Sequence, residues 1–194
     1  LGAGLSSSSL IRYLLENSSE NNWKIKVVDQ NIDLVKQKIN NHPNGEALSF
    51  DALSADERKP EIEKADLVVS MLPARFHMEI AKDCLALKTN LITPSYISPE
   101  MKALHEEAIE AGVIFMNEIG VDPGIDHMSA MRIIDEIKAK NGNLHRFISF
   151  CGGLVAPEYD NNPWNYKFTW NPRNVVIAGQ GAAACYQEEN EYKY

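Results

Sequence analysis

Through residue 118 the chain alternates between short β-branched runs and longer segments with helical spacing, and this alternation restricts the fold more than any other feature. Strands separated by helices return by crossovers, so successive strands lie parallel and the helices cover both faces of the sheet. The apolar residues Leu5, Leu10, Ile11, Leu14 and Leu15 predict a helix over 5–16, followed by a polar turn over 17–22. Lys24-Ile-Lys-Val-Val-Asp29 reads as a strand, 32–39 as a helix, 47–50 as a strand and 60–64 as a short helix opening on Pro60. A strand over 65–72 ends at Pro73. A helix over 74–87 and a strand over 90–93 come next. The following helix has Ser98 as cap and Pro99 in its first turn, and Gly112 closes it before a strand over 113–116.

After Gly120 the texture changes. A turn over 121–124 leads to a helix over 125–140 and a strand over 144–151. Residues 152–173 are rich in Asn, Pro and aromatics without a clear period, and a loop of that length is usually functional when it is ordered. The expected division is a dinucleotide-binding domain over 1–118 and the start of a second, substrate-binding α/β domain over 119–194.

Charge and composition narrow the partners. The 194 residues carry 19 Lys and Arg against 27 Asp and Glu, a net charge of −8, which argues against a nucleic-acid binder or a partner of anionic membrane. No run approaches the roughly 18 apolar residues of a membrane span. Cys84, Cys151 and Cys185 are widely spaced, which fits reduced thiols in a cytoplasmic protein better than disulfides or a zinc site. The chain opens inside a motif, without Met or signal peptide, and ends in a polar run over 187–194. It therefore reads as an internal piece of a longer protein, with the first strand of its sheet preceding Leu1.

That opening motif is Gly2-x-Gly4-x-x-Ser7, standing directly before a helix. In a Rossmann-type fold the first Gly makes a tight turn and the second lets a pyrophosphate approach the backbone. The third position needs a small residue, which Ser7 satisfies imperfectly. The helix start offers free N–H groups to phosphate. A glycine turn before an ordinary helix looks the same in isolation. Asp29 adds weight, since it ends the second strand 25 residues after Gly4, near the spacing of the acid that binds the adenosine ribose. A 2′-phosphate about 4 Å from that carboxylate would be disfavoured by a few kcal/mol at an effective dielectric of about 20. No Arg or Lys in 30–34 offsets it, so NAD is expected over NADP.

Ser70-Met-Leu-Pro73 and Thr93-Pro-Ser-Tyr96 stand at the carboxyl ends of two further strands, the edge where an open parallel sheet binds its ligand. Asp122 and Asp126 at i and i+4, with His127 beside the second, share a helix face if the helix includes them all, but a metal site needs a further ligand, and none is expected. The plainer reading of Asp122 is a helix cap or turn former. Cys151 closes a strand before Gly152-Gly153; the nearest base, His145, should lie some 20 Å away along it, which disfavours a cysteine nucleophile.

Three longer motifs, 117–127 (Asn-Glu-Ile-Gly-Val-Asp-Pro-Gly-Ile-Asp-His), 151–158 (Cys-Gly-Gly-Leu-Val-Ala-Pro-Glu) and 166–173 (Tyr-Lys-Phe-Thr-Trp-Asn-Pro-Arg), closely resemble the glutamate-forming saccharopine dehydrogenases, also called saccharopine reductases. The 70–77 and 93–99 loops resemble the same family's Rossmann-domain loops, and the resemblance extends to about Gly181. It implies interconversion of saccharopine with glutamate and 2-aminoadipate 6-semialdehyde, by hydride transfer with NAD or NADP at the carbon bearing the secondary amine. Carried over by position, it places Gly2, Gly4, Leu5 and Ser6 on the pyrophosphate, Asp29 on the ribose, and Ser70, Met71 and Leu72 along the nucleotide path. Val121 and Pro123 would complete the cofactor wall, and Trp170 and Arg173 would close over it. Ser95, Tyr96, Asp122 and Gly153 would meet the substrate, with Tyr96, Asp122 and Cys151 nearest the chemistry.

A complete family member is about twice this long, so the piece alone is expected to be inactive. The basic residue that NADP-using members carry after the second strand is replaced by Asp29-Gln30. The implied partner is a small amino-acid substrate, in a monomer or homodimer. Carboxynorspermidine- or homospermidine-type imine reduction, and an NAD(H)-binding scaffold without turnover, are the alternative readings.

Overall fold

The structure, a computed structural model, describes residues 1–150, 153–168, 172–173, 176, 186–188 and 191–193. The chain divides into two compact units, Leu1–Cys151 and Gly152–Tyr194.

In the first unit a 3₁₀ turn at Leu5–Ser7 leads into α1 (Ser8–Glu16), single-turn α2 (Ser18–Asn21), β1 (Ile25–Val28), α3 (Ile32–Ile39), β2 (Gly45–Leu48), α4 (Ala55–Glu63) and β3 (Leu67–Val69). A second 3₁₀ turn at Ala74–Phe76 opens α5 (His77–Ala86), followed by β4 (Asn90–Ile92), α6 (Pro99–Ala103), α7 (His105–Ala111), β5 (Phe115–Met116) and α8 (Ile125–Ala139). Every strand pair in this unit is parallel: Ile25 faces Gly45, Leu67 faces Asn90, and Leu91 faces Phe115. The fold is α/β with a Rossmann-like parallel arrangement.

The strands form two groups, β1-β2 and β3-β4-β5, that Leu1 and Gly2 join at the carboxyl edge. Leu1 N donates to the Val69 carbonyl at 2.7 Å, and Met71 N–H returns a bond to the Leu1 carbonyl at 2.8 Å. Gly2 N–H donates to the Val28 carbonyl at 2.8 Å.

Each group carries its own core. Ile11 and Leu15 of α1, Val35 and Ile39 of α3 and Val27 of β1 bury around Ala3. Ile62, Val68, Ile80, Ala81, Cys84, Leu91 and Met101 form the second cluster. Burying an aliphatic side chain of this size contributes about 1.5–3 kcal/mol. Beside the second cluster, buried Arg58 ties α4 to α5: its Nε donates to Asp83 Oδ2 at 2.7 Å and its Nη1 to the Ala52 carbonyl at 2.7 Å.

Several elements differ from the sequence reading. Pro60 lies inside α4 rather than at its start. An internal Pro forfeits one backbone bond, but Arg58 anchors this helix and Asp56 and Glu57 favour its first turn. The polar segment after α1 forms the turn of α2, ended by Asn22 in the left-handed region, and the 99–111 helix breaks at Leu104 into α6 and α7. The strand expected over 144–151 does not form in its described part: residues 144–150 carry no regular structure and are exposed. A strand needs a pairing partner, and among the described residues nothing pairs with this segment. In the second unit a 3₁₀ turn spans Pro157–Tyr159, and β6 (Tyr186–Glu188) pairs antiparallel with β7 (Glu191–Lys193), where the sequence suggested only a polar run. No helix among the described residues is long and apolar enough to cross a membrane.

Candidate functional site

The carboxyl edge of the parallel strands in the first unit carries three groups of polar contacts. The first is at the glycine loop. Gly2 has φ +92°, and a Cβ there would stand 3.2 Å from the Met71 carbonyl carbon, so conformation and space both require glycine. Gly4 has nothing within 4 Å of a Cβ, so its backbone is open to a ligand. Leu5 and Ser6 are exposed beside it, while Ser7 is buried with its hydroxyl donating to the Gly4 carbonyl at 2.8 Å. The imperfect third position is thereby explained: the extra hydroxyl is satisfied inside the turn.

Asp29 stands next to this loop. Its Oδ2 accepts the Ala3 N–H at 2.8 Å and its Oδ1 the Asn31 N–H at 3.0 Å. Each carboxylate oxygen has a second acceptor site, so ribose hydroxyls can still be bound. A pocket of about 200 Å³ opens beside it, walled by Phe50, Asp51 and Leu53 after β2 and by Leu72, Pro73 and Phe76 after β3. The 50–53 wall was not singled out from sequence; a polar loop after a short strand gives little signal. Lys38 was also missed. It donates to the Gly4 carbonyl and, at 2.9 Å, to the Ser8 hydroxyl, placing a cation at the mouth of the loop.

Ser70 at the end of β3 is fully buried, with Met71 and Leu72 half-buried against the loop. Its hydroxyl lies 3.0 Å from Nδ1 of buried His77, and His77 Nε2 lies 2.8 Å from the Ser95 hydroxyl beyond β4. Burial lowers the His77 pKa, favouring the neutral ring. Tyr96, 65 % exposed, donates its hydroxyl to Asp122 Oδ1 at 3.3 Å. Burial first and the Asp122 charge second raise the Tyr96 pKa, so the phenol keeps its proton.

Asp122 lies in the turn before α8, not on it, and the helix is capped by Gly124 instead. The helix-face pairing with Asp126 and the cap role of Asp122 are therefore not realised. Pro123 is buried in this turn and Val121 is exposed. Ligand atoms of Asp122, Asp126 and His127 nevertheless lie within 4.8 Å of one another, so the three could reach one cation. Asp126 Oδ1 is engaged by His127 Nδ1 at 2.6 Å and by the Gly124 N–H at 3.1 Å.

Cys151 and Trp170 lie outside the described residues. His145 is exposed on the irregular 144–150 segment, so no strand carries it toward Cys151. Gly153, with open space around it, and exposed Arg173 belong to the second unit.

Parallel strands, a glycine turn into a helix and an acid at the end of β1 define a dinucleotide-binding α/β protein. A family model described as the saccharopine dehydrogenase NADP binding domain matches residues 1–116, and one described as the saccharopine dehydrogenase C-terminal domain matches 120–194. The chain belongs to the saccharopine dehydrogenase family. It is 38% identical over 187 residues to "Saccharopine dehydrogenase [NADP(+), L-glutamate-forming]" of Schizosaccharomyces pombe, covering 96% of this chain and 41% of that protein. It is 41% identical over 148 residues to "Alpha-aminoadipic semialdehyde synthase" of Arabidopsis thaliana, covering 76% of this chain and 14% of that one. The structure of "Apo histidine-tagged saccharopine dehydrogenase (L-Glu forming)" from Saccharomyces cerevisiae superposes with a TM-score of 0.80 at 34% identity, over 99% of this chain and 42% of that one. The chain thus spans about 41% of the first of these relatives.

Proposed function

We propose that the protein is an oxidoreductase of the saccharopine type, using NAD in preference to NADP. Saccharopine, water and NAD⁺ give glutamate, 2-aminoadipate 6-semialdehyde, NADH and a proton, and the reaction runs either way. The observation that carries this reading is the hydrogen-bonded chain Ser70–His77–Ser95 beside the glycine loop that Asp29 holds through Ala3, with Tyr96 bonded to Asp122 farther along the edge. One end suits a dinucleotide and the other a polar substrate. The names of the relatives support the reaction.

In this reading the nicotinamide supplies hydride transfer. Gly2, Gly4, Leu5 and Ser6 hold the pyrophosphate, Asp29 the ribose, and Ser70, Met71, Leu72, Val121 and Pro123 line the path. The open space at Gly4 and the pocket beside Asp29 fit such a group. Ser95, Tyr96 and Asp122 orient the substrate, with the protonated Tyr96 phenol donating to Asp122 and its oxygen left to accept. The family resemblance adds Cys151 and Gly153 as candidates for the substrate and Trp170 and Arg173 as candidates for the cofactor. Residues 1–118 form the nucleotide domain and 119–194 begin the substrate domain.

The preference for NAD rests on Asp29 and on Gln30 following it, although the matching family model and the yeast relative are named for NADP. The test is absorbance at 340 nm with the full-length protein, saccharopine, and NAD or NADP offered separately. Turnover with saccharopine and NAD supports the proposal. Turnover only with homospermidine-type amines, or nucleotide binding without turnover, refutes it.

A further inference from the structure

The His77 ring spans the two walls of the site, and the surroundings of Ser70 fix which way its protons point. Ser70 is fully buried, and among the described residues its hydroxyl has one hydrogen-bond partner, His77 Nδ1 at 3.0 Å. If Nδ1 carried the proton, it would donate to Ser70, and the Ser70 hydroxyl proton would be buried with no acceptor. A buried donor without an acceptor is disfavoured. If Nδ1 is bare, Ser70 donates to it and both groups are satisfied. A neutral imidazole has one donor and one acceptor, so the proton then sits on Nε2 and is donated to Ser95 at 2.8 Å.

The consequence falls on Ser95, which is half-buried at the site. With its oxygen accepting from His77, its own hydroxyl proton is left to point toward a ligand acceptor. Its neighbour Tyr96 also acts as a donor, to Asp122.

We propose that His77 is a positioning residue that locks Ser95 as a hydrogen-bond donor, so that this part of the site selects a ligand oxygen acceptor, a substrate carboxylate or the carboxamide oxygen of nicotinamide, over an ammonium group. The proposal rests on the functional reading above for the identity of the ligand, and it gives that reading a reason to prefer a dicarboxylic amino-acid substrate to a polyamine. His77 itself touches neither substrate nor cofactor in this account; it acts through Ser95.

Two measurements test it. The tautomer is read first, on the wild-type protein without ligand, by nitrogen-15 NMR of the His77 ring near neutral pH. A protonated Nε2 with a bare Nδ1 is expected, and a protonated Nδ1 or a charged ring overturns the proposal. Kinetics of His77→Leu and His77→Gln follow, since a glutamine amide can present a donor where Nε2 stood. His77→Leu is expected to lower kcat/KM for saccharopine about tenfold and, because Ser70 loses its acceptor, to lower the melting temperature as well, with most of both losses recovered in His77→Gln. A rise confined to the saccharopine KM assigns the acceptor to the substrate, whereas a matching rise in the nucleotide Kd assigns it to the carboxamide; both support the lock. Equal losses in the two variants, or no change in either, overturn it. A wild type inactive on saccharopine would refute the functional reading alone, because the tautomer measurement needs no substrate.

Discussion

Replacing Asp29 separates two duties that one carboxylate performs. Its oxygens hold the Ala3 and Asn31 N–H groups at 2.8 and 3.0 Å, which staples the glycine loop to the end of β1. Its remaining lone pairs face the site, where ribose hydroxyls bind in the proposed complex. Hydrogen bonds to a charged group contribute about 1.5–3 kcal/mol, so Asp29→Ala should weaken NAD binding roughly 10- to 100-fold. For NADP the sign reverses. Like charges about 4 Å apart repel by about 4 kcal/mol at an effective dielectric of 20, and solvent at the half-buried Asp29 reduces that to about 2. Removing the charge offsets the loosened loop, so NADP affinity should hold or rise. The NAD-to-NADP affinity ratio should therefore fall by about 10²- to 10³-fold. Asp29→Asn, which keeps an oxygen for the Ala3 N–H but no charge, should shift the ratio with a smaller loss of melting temperature. Titration calorimetry with each coenzyme, at low and physiological salt, reads both quantities. A wild type that favours NADP, or a ratio unmoved in both variants, would refute the argument.

Three further outcomes are expected. Gly2→Ala combines φ +92° with a Cβ 3.2 Å from the Met71 carbonyl carbon, and should cost about 1–2 kcal/mol in urea unfolding along with coenzyme binding. Asp83→Ala leaves the buried Arg58 guanidinium unpaired and should cost about 3–5 kcal/mol, whereas the paired Arg58→Met, Asp83→Leu variant should lose much less; denaturant midpoints decide between them. The Cys84 thiol, which burial pushes up to about 12, should resist alkylation at pH 8 until denaturant is added, as peptide mass mapping would show.

The sequence made legible those features that rest on local chemistry. The alternation of strands and helices, the Gly2–Ser7 turn, Asp29 at a strand end, Ser98 accepting the Met101 N–H at 3.1 Å and Gly112 closing α7 at φ +71° all follow from residues close together in the chain. Tyr96 and Asp122 stood out from their place after strand ends and in the 121–124 turn, and the family resemblance added Ser95 to them as candidates. Hidden were the links made at a distance. Arg58 and Asp83 lie 25 residues apart with no pattern that pairs them. His77 was visible only as part of a loop motif, because its bond to Ser95 depends on two strands standing side by side. The 144–150 segment is not a strand for the complementary reason: Leu144, Phe147, Ile148 and Phe150 are residue types that suit a sheet, but a sheet requires a neighbour, and among the described residues none pairs with it.

The joint made by Leu1 and Gly2 also bears on what a coenzyme would do to the first unit. Each strand group has its own core, and the bonds at Val28, Val69 and Met71 link the two groups at the carboxyl edge. The coenzyme, reaching from Asp29 to Ser70 in the proposed complex, would touch both groups. Its binding should slow amide exchange in β1, α1 and α3 and in β3, β4 and α5 together, which exchange mass spectrometry with and without coenzyme would read.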